Sequence, residues 1–121
     1  MYSVKVKEHI MIAHSLPDPY FGPASNMHGA TYVVNAIFRS EQLNNKNVVI
    51  DIGEAIEILK EVLSSLAYKN LDELPQFNGI LTTTEYLAAH IHKLVRKKIE
   101  GHVGLKIELN ESHIASASYE D

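Results

Sequence analysis

The chain contains no cysteine. That absence removes disulfides, thiolate metal sites and cysteine nucleophiles together, and it leaves the redox compartment open. Positive charge is also scarce. Eleven Lys and Arg stand against 15 Asp and Glu, a formal net charge of −4, too little for a broad surface that would hold nucleic acid or anionic lipid. No apolar run reaches the roughly 18 residues of a membrane span. The opening stretch MYSVKVKEHIMIAHSL is broken by Lys5, Lys7, Glu8 and His9, where a signal peptide needs an unbroken apolar segment. The expectation is a cytoplasmic protein whose partner is a small molecule or another protein. There is no repeat, low-complexity tract or internal linker. With 121 residues, 45% hydrophobic and 21% charged, the sequence fits one domain over 1–121.

Periodicity supplies the elements. Val4, Val6, Ile10, Ile12 and His14 share one parity against Lys5, Lys7 and His9, which predicts a strand over 2–14 with His14 on its apolar side. The following SLPDPYFGPASN, with three prolines and a glycine, reads as a loop with no secondary structure of its own, of the kind that more often serves function than a short turn does. A second strand is predicted over 27–39, and VVID at 48–51 as a brief extension. A helix over 54–66 places Ile56, Leu59, Val62, Leu63 and Leu66 on one stripe, and a helix over about 84–99 does the same with Leu87, Ile91, Leu94, Val95 and Ile99. Thr82 and Glu85 have the spacing of a capping box at its start. Lys93, Arg96, Lys97 and Lys98 crowd its end, where cations complement the helix dipole. Val103, Leu105, Ile107 and Leu109 then alternate with polar residues as a third strand, and a fourth is expected over about 114–120.

Strand, strand, helix, helix, strand, strand predicts an α+β fold: a four-stranded antiparallel sheet with two helices on one face. Val33 and Ile37 make the second strand apolar on both sides, so the sheet is expected to close against copies of itself into a barrel.

Several pieces taken in order resemble one family. IMIAHSL is similar to F-x-A-A-H-R-L, MHGATY to L-H-G-H-N-Y, and NVVIDIGEAIEILKEVLSSLAYKNLDELP to G-M-V-x-D-F-x-x-L-K … L-D-H-x-x-L-N. TTTEYLAAHI follows P-T-x-E-N-L-A, and ELNESHIASASY follows V-x-E-T-x-x-x-x-A-x-Y. These motifs belong to the 6-pyruvoyltetrahydropterin synthase family, which includes the bacterial 6-carboxytetrahydropterin synthases and has the tunnelling fold. The resemblance implies a homo-oligomer, a trimer or a dimer of trimers.

The resemblance also implies a zinc ion on three histidines, and their positions fall on His14, His28 and Ala30. Residues i and i+2 of a strand face the same way, which is how H-G-H presents two imidazoles to one metal. An alanine methyl has no lone pair, so zinc is expected to be weak or absent and His14 and His28 to form an incomplete site. His9, His113 or a carboxylate would have to complete it. The family's cysteine and Asp-His dyad fall on Ala24, Ala67 and Tyr68, which cannot perform its proton transfers. Ser25 beside Ala24 has no base to activate it. Tyr68 or Lys69 is the residue left to supply an acid or base.

The pterin anchor is retained. The glutamate of the family's E-T motif takes paired N–H bonds from the amino-pyrimidine edge, a geometry that suits a carboxylate. Glu111 occupies that position, on the inward parity of Ile107 and Leu109, with Tyr119 at the family spacing; Thr83 matches the threonine of P-T-x-E, while Thr82 replaces its proline. The expectation is a protein that binds a pterin or similar heterocycle through Glu111 at a subunit interface without the zinc-dependent synthase reaction. The alternatives are a carbon–oxygen lyase of the family type with a rebuilt metal site, a metal-free pterin aldolase, and a non-catalytic structural subunit.

Overall fold

The computed structural model describes all 121 residues. Strands β1 (Tyr2–His14) and β2 (His28–Ser40) run the full length of the sheet, and β3 (Gly104–Asn110) and β4 (Ser116–Glu120) cover only part of it. All neighbours are antiparallel in the order β1-β2-β3-β4, and helices α1 (Ile52–Ser64) and α2 (Thr84–Arg96) pack on one face. The α+β reading and the four-stranded sheet therefore stand.

The alternation that predicts β1 also fixes which way it faces. Val6, Ile10, Ile12 and His14 are buried, while Lys5, Lys7, His9 and Met11 are exposed. On β2 the inward residues are Tyr32, Val34, Ala36 and Phe38, and on β3 Leu105, Ile107 and Leu109. The helices close over them. α1 contributes Ala55, Ile58, Leu59, Val62 and Leu63, and α2 contributes Leu87, Ala88, Ile91, His92 and Val95. Each fully buried Leu, Ile or Phe stabilises the fold by about 1.5–3 kcal/mol relative to leaving it in water, so this single core accounts for the helix placement. On the outer face Val33 and Ile37 are half-buried, and Asn35 is covered beside Glu108, to which its Nδ2 donates at 3.3 Å.

Several local expectations are corrected. The segment after β1 is not featureless. Two 3-10 turns fill Pro19–Ser25, opened by the Asp18 carboxylate, which accepts from Tyr20 N, and joined at Gly22, whose φ of 57° suits only a residue without a Cβ. VVID is not extended pairing; Val49 and Ile50 are buried in an irregular segment with no strand beside it, and Asp51 caps α1 by accepting from Glu54 N. α1 starts two residues earlier than predicted for that reason. The N-cap of α2 is Thr83, accepting from Tyr86 N at 3.1 Å, and not Thr82, while α2 ends at Arg96 instead of near 99. The β2–β3 ladder runs only from Val33↔Asn110 to Arg39↔Gly104. β2 therefore has no second neighbour over 28–32, and that open corner positions the site.

Candidate functional site

β1 and β2 meet there at their last register pair, His14↔His28. Both side chains lie on the helix-covered face, with ring centroids 4.7 Å apart and the planes inclined at 64°. His14 is 3% exposed and its Nδ1 sits 2.9 Å from Thr82 Oγ1, itself buried. The His28 Nδ1 is 2.8 Å from the carbonyl oxygen of Asn26. A carbonyl only accepts, so this nitrogen carries the proton and Nε2 of the neutral ring is left bare. Burial holds the His14 pKa below the ordinary imidazole value, the neighbouring His28 lowers it further, and Asp72, Thr82 and Glu111 oppose the shift. Asp72 is anchored by the next residue, accepting from Ser15 Oγ at 2.5 Å and from Ser15 N at 3.1 Å.

Tyr32, four residues along β2 from His28 on the same face, is 2% exposed. Burial raises its pKa against a hydrogen bond with Thr84, and the charges of Glu111 and Glu85 raise it further. The corner is thus built from the ends of β1 and β2, the N-terminus of α2 and the turn between β3 and β4.

Glu111 does not occupy the buried position that strand parity predicts. β3 ends at Asn110, and the chain turns as Glu111 N and Ser112 N both donate to Ala115 O, which leaves Glu111 exposed at the rim. Its charge still acts on both His14 and Tyr32. The Thr83 hydroxyl is engaged in capping α2. Tyr68 and Lys69 lie along the free edge of β1, where Tyr68 N donates to Met11 O and Ala13 N to Lys69 O. Their backbones are docked beside the histidine pair, but both side chains are exposed, Tyr68 by 84%, and Tyr68 takes a positive φ of 61°. Ala24 is held against the start of the same loop through Leu16 N, which donates to Ala24 O. Thr82 is the residue that sequence reasoning misplaced: three consecutive threonines all suit a helix start, and only the fold shows which one faces His14.

The family model for 6-pyruvoyl tetrahydropterin synthase matches residues 3–121.

The chain belongs to that family.

Among curated proteins, the 6-pyruvoyl tetrahydrobiopterin synthase of Dictyostelium discoideum is 37% identical over 73 residues, 59% of this chain, and the match spans about half of that relative (54%). The Caenorhabditis elegans 6-pyruvoyl tetrahydropterin synthase superposes with a TM-score of 0.88 at 19% identity, covering 99% of this chain and 95% of that one. The Plasmodium falciparum 6-pyruvoyl tetrahydropterin synthase gives 0.79 at 16% identity, covering 98% of each chain, and an uncharacterized Wolinella succinogenes protein gives 0.79 at 14%, covering 99% and 98%. At these identities the structures establish the shared fold, the tunnelling fold.

At the positions where the family resemblance puts three zinc histidines, the chain has His14, His28 and Ala30. Ala30, opposite Ile12, brings a methyl to the face shared with His28, and no group of three or more His, Asp or Glu side chains has the spacing to hold an ion. Neither His9, on the outer face of β1, nor His113, exposed in the β3–β4 turn, completes a triad.

A cavity of about 740 Å³ lies elsewhere, between the loop over 44–51 and the C-terminal end of α2. Helix α2 begins two residues after Thr82 and reaches the cavity at Lys97, so at about 1.5 Å per residue the cavity lies roughly 20 Å from the histidine corner. Its walls mix Lys46, Lys97 and Lys98 with Asp51, Glu54 and Glu100, and the Asp51 carboxylate is already engaged at the α1 cap. Electrostatic convergence, not cavity size, singles out the corner.

Proposed function

We propose that this chain binds a pterin or related heterocycle at the histidine corner, with Glu111 as the anchor for the amino-pyrimidine edge, and that it does not run the zinc-dependent synthase reaction of its family. The observation that carries the reading is the position of Glu111: its charge reaches His14 and Tyr32 across a corner bounded by the helix-covered face and an open strand edge. A planar pair of N–H donors matches a carboxylate bidentately, and such charge-assisted bonds are about twice as strong as neutral ones. The chemistry of the synthase has no carriers here. Ala30, Ala24 and Ala67 offer neither lone pair nor proton, and the Tyr68 side chain faces solvent.

In a single chain the corner is open, and its surroundings point to a second copy as the missing wall. Tyr20, Met27, Tyr68 and Ile114 are exposed by 87%, 52%, 84% and 83%, all in segments flanking this end of the sheet. A homo-oligomer that covers them would bury Glu111 and the ligand together.

Calorimetric titration of neopterin into the unmodified protein, Glu111→Gln and Glu108→Gln tests the assignment. Hydrogen bonds to a charged group contribute about 1.5–3 kcal/mol each, so Glu111→Gln is expected to lose at least about tenfold in affinity. Glu108 lies on the outer face and its substitution is expected to leave binding unchanged. Equal effects of the two substitutions would remove Glu111 from the site.

A further inference from the structure

We propose that the Thr82 hydroxyl donates its hydrogen to His14 Nδ1 and thereby fixes His14 as the Nε2–H tautomer, so that the His14–His28 pair presents one hydrogen-bond donor beside one acceptor instead of two lone pairs.

Every hydrogen in this closed space needs an acceptor. Thr82 is 1% exposed, and the one hydrogen bond its hydroxyl makes is with His14 Nδ1 at 2.9 Å. A threonine hydroxyl has a single hydrogen. If Nδ1 carried a proton and donated it to Oγ1, that hydroxyl hydrogen would be buried with nothing to accept it. The Thr82 backbone also bears on the ring, and a bond from Nδ1 to it would strand the same hydrogen. Leaving a buried polar group unmade shifts the balance between tautomers by about 5–150-fold. The neutral His14 ring therefore keeps its proton on Nε2, the nitrogen turned away from Thr82.

His28 is set the opposite way. Its Nδ1–H donates to Asn26 O, so its Nε2 is an acceptor. The rings are 4.7 Å apart, and a ligand group that meets both free nitrogens has to accept from one and donate to the other, as a hydroxyl can. A divalent cation needs both lone pairs and would have to drive His14 into the tautomer that strands the Thr82 hydrogen. Thr82 stands where the family pattern has proline, which has no hydroxyl. It is a second obstacle to metal, independent of Ala30. The hydroxyl-binding consequence rests on the ligand site proposed above; the tautomer does not.

Long-range proton–nitrogen NMR of the nitrogen-15-labelled protein without ligand, at a pH where both rings are neutral, reads the tautomers directly. His14 is expected to show a bare Nδ1 and a protonated Nε2, and His28 the reverse. A protonated Nδ1 on His14 overturns the proposal whether or not any pterin binds. Zinc titration then tests Thr82 as the positioning residue. Thr82→Val keeps the shape and removes the hydroxyl, and is expected to bind zinc about 5–150-fold more tightly than the unmodified protein. Thr82→Ser is expected to match the unmodified protein in both spectrum and affinity. Equal zinc affinity across all three contradicts the role, and if Thr82→Val does not fold, the spectrum of the unmodified protein decides alone.

Discussion

Burial holds two imidazoles, those of His14 and His90, below their ordinary pKa; for His90 the neighbouring charge of Lys93 adds to the effect. Both rings are thus kept neutral by the fold, while the unfolded chain takes up protons at about 6.5. As pH falls through that value the unfolded state binds more protons than the folded one, so stability is complete above it and declines on acidification toward the lowered folded values. Urea midpoints are expected to drop from about pH 7 to about pH 5. Replacing His90, which packs edge-on against Phe77 at 4.8 Å, by Phe is expected to flatten part of that slope. An unchanged slope in His90→Phe would mean that the ring is not held neutral. At the same scale, Ala30 and Thr82 act together on one pair of histidines. The first was legible from spacing alone, since i and i+2 share a face. The second was not, because nothing local shows that the hydroxyl of Thr82 meets a residue 68 positions away.

Among the elements, legibility followed periodicity. The parity of β1 placed His14 inward, and the stripes of α1 and α2 gave the buried face, with Ile58 in place of the half-buried Ile56. Extrapolation failed where pairing stopped. Glu111 continues the parity of β3 in sequence, but the ladder ends at Asn110 and the turn reverses the chain before the carboxylate can point inward. The start of α2 was ambiguous for a different reason. Thr82, Thr83 and Thr84 have the same capping chemistry, and tertiary burial against His14 takes Thr82 out of the competition. Thr83→Ala is accordingly expected to cost about 1 kcal/mol in chemical denaturation. No loss would mean that Thr83 does not cap α2.

For the whole molecule, the unfinished features lie on the sheet's edges. β4 has one neighbour, β1 is paired along its outer edge only near Ala13 and Asn70, and β2 is open over 28–32. Open edges invite pairing with another chain, and the exposed Tyr20, Met27, Tyr68 and Ile114 flank the same end. Light scattering at micromolar concentration is expected to give a trimer or a multiple of it. A stable soluble monomer would leave the ligand corner without its second wall.

Belonging to the 6-pyruvoyl tetrahydropterin synthase family fixes the fold's lineage, and in the proposed function the corner binds its ligand without the family's metal chemistry. Calorimetric titration of neopterin into chelator-treated protein, repeated after one equivalent of zinc is added back, tests that reading most directly. Saturable binding near one ligand per chain is expected, with the same affinity in both titrations. Binding that appears only with stoichiometric zinc would contradict it.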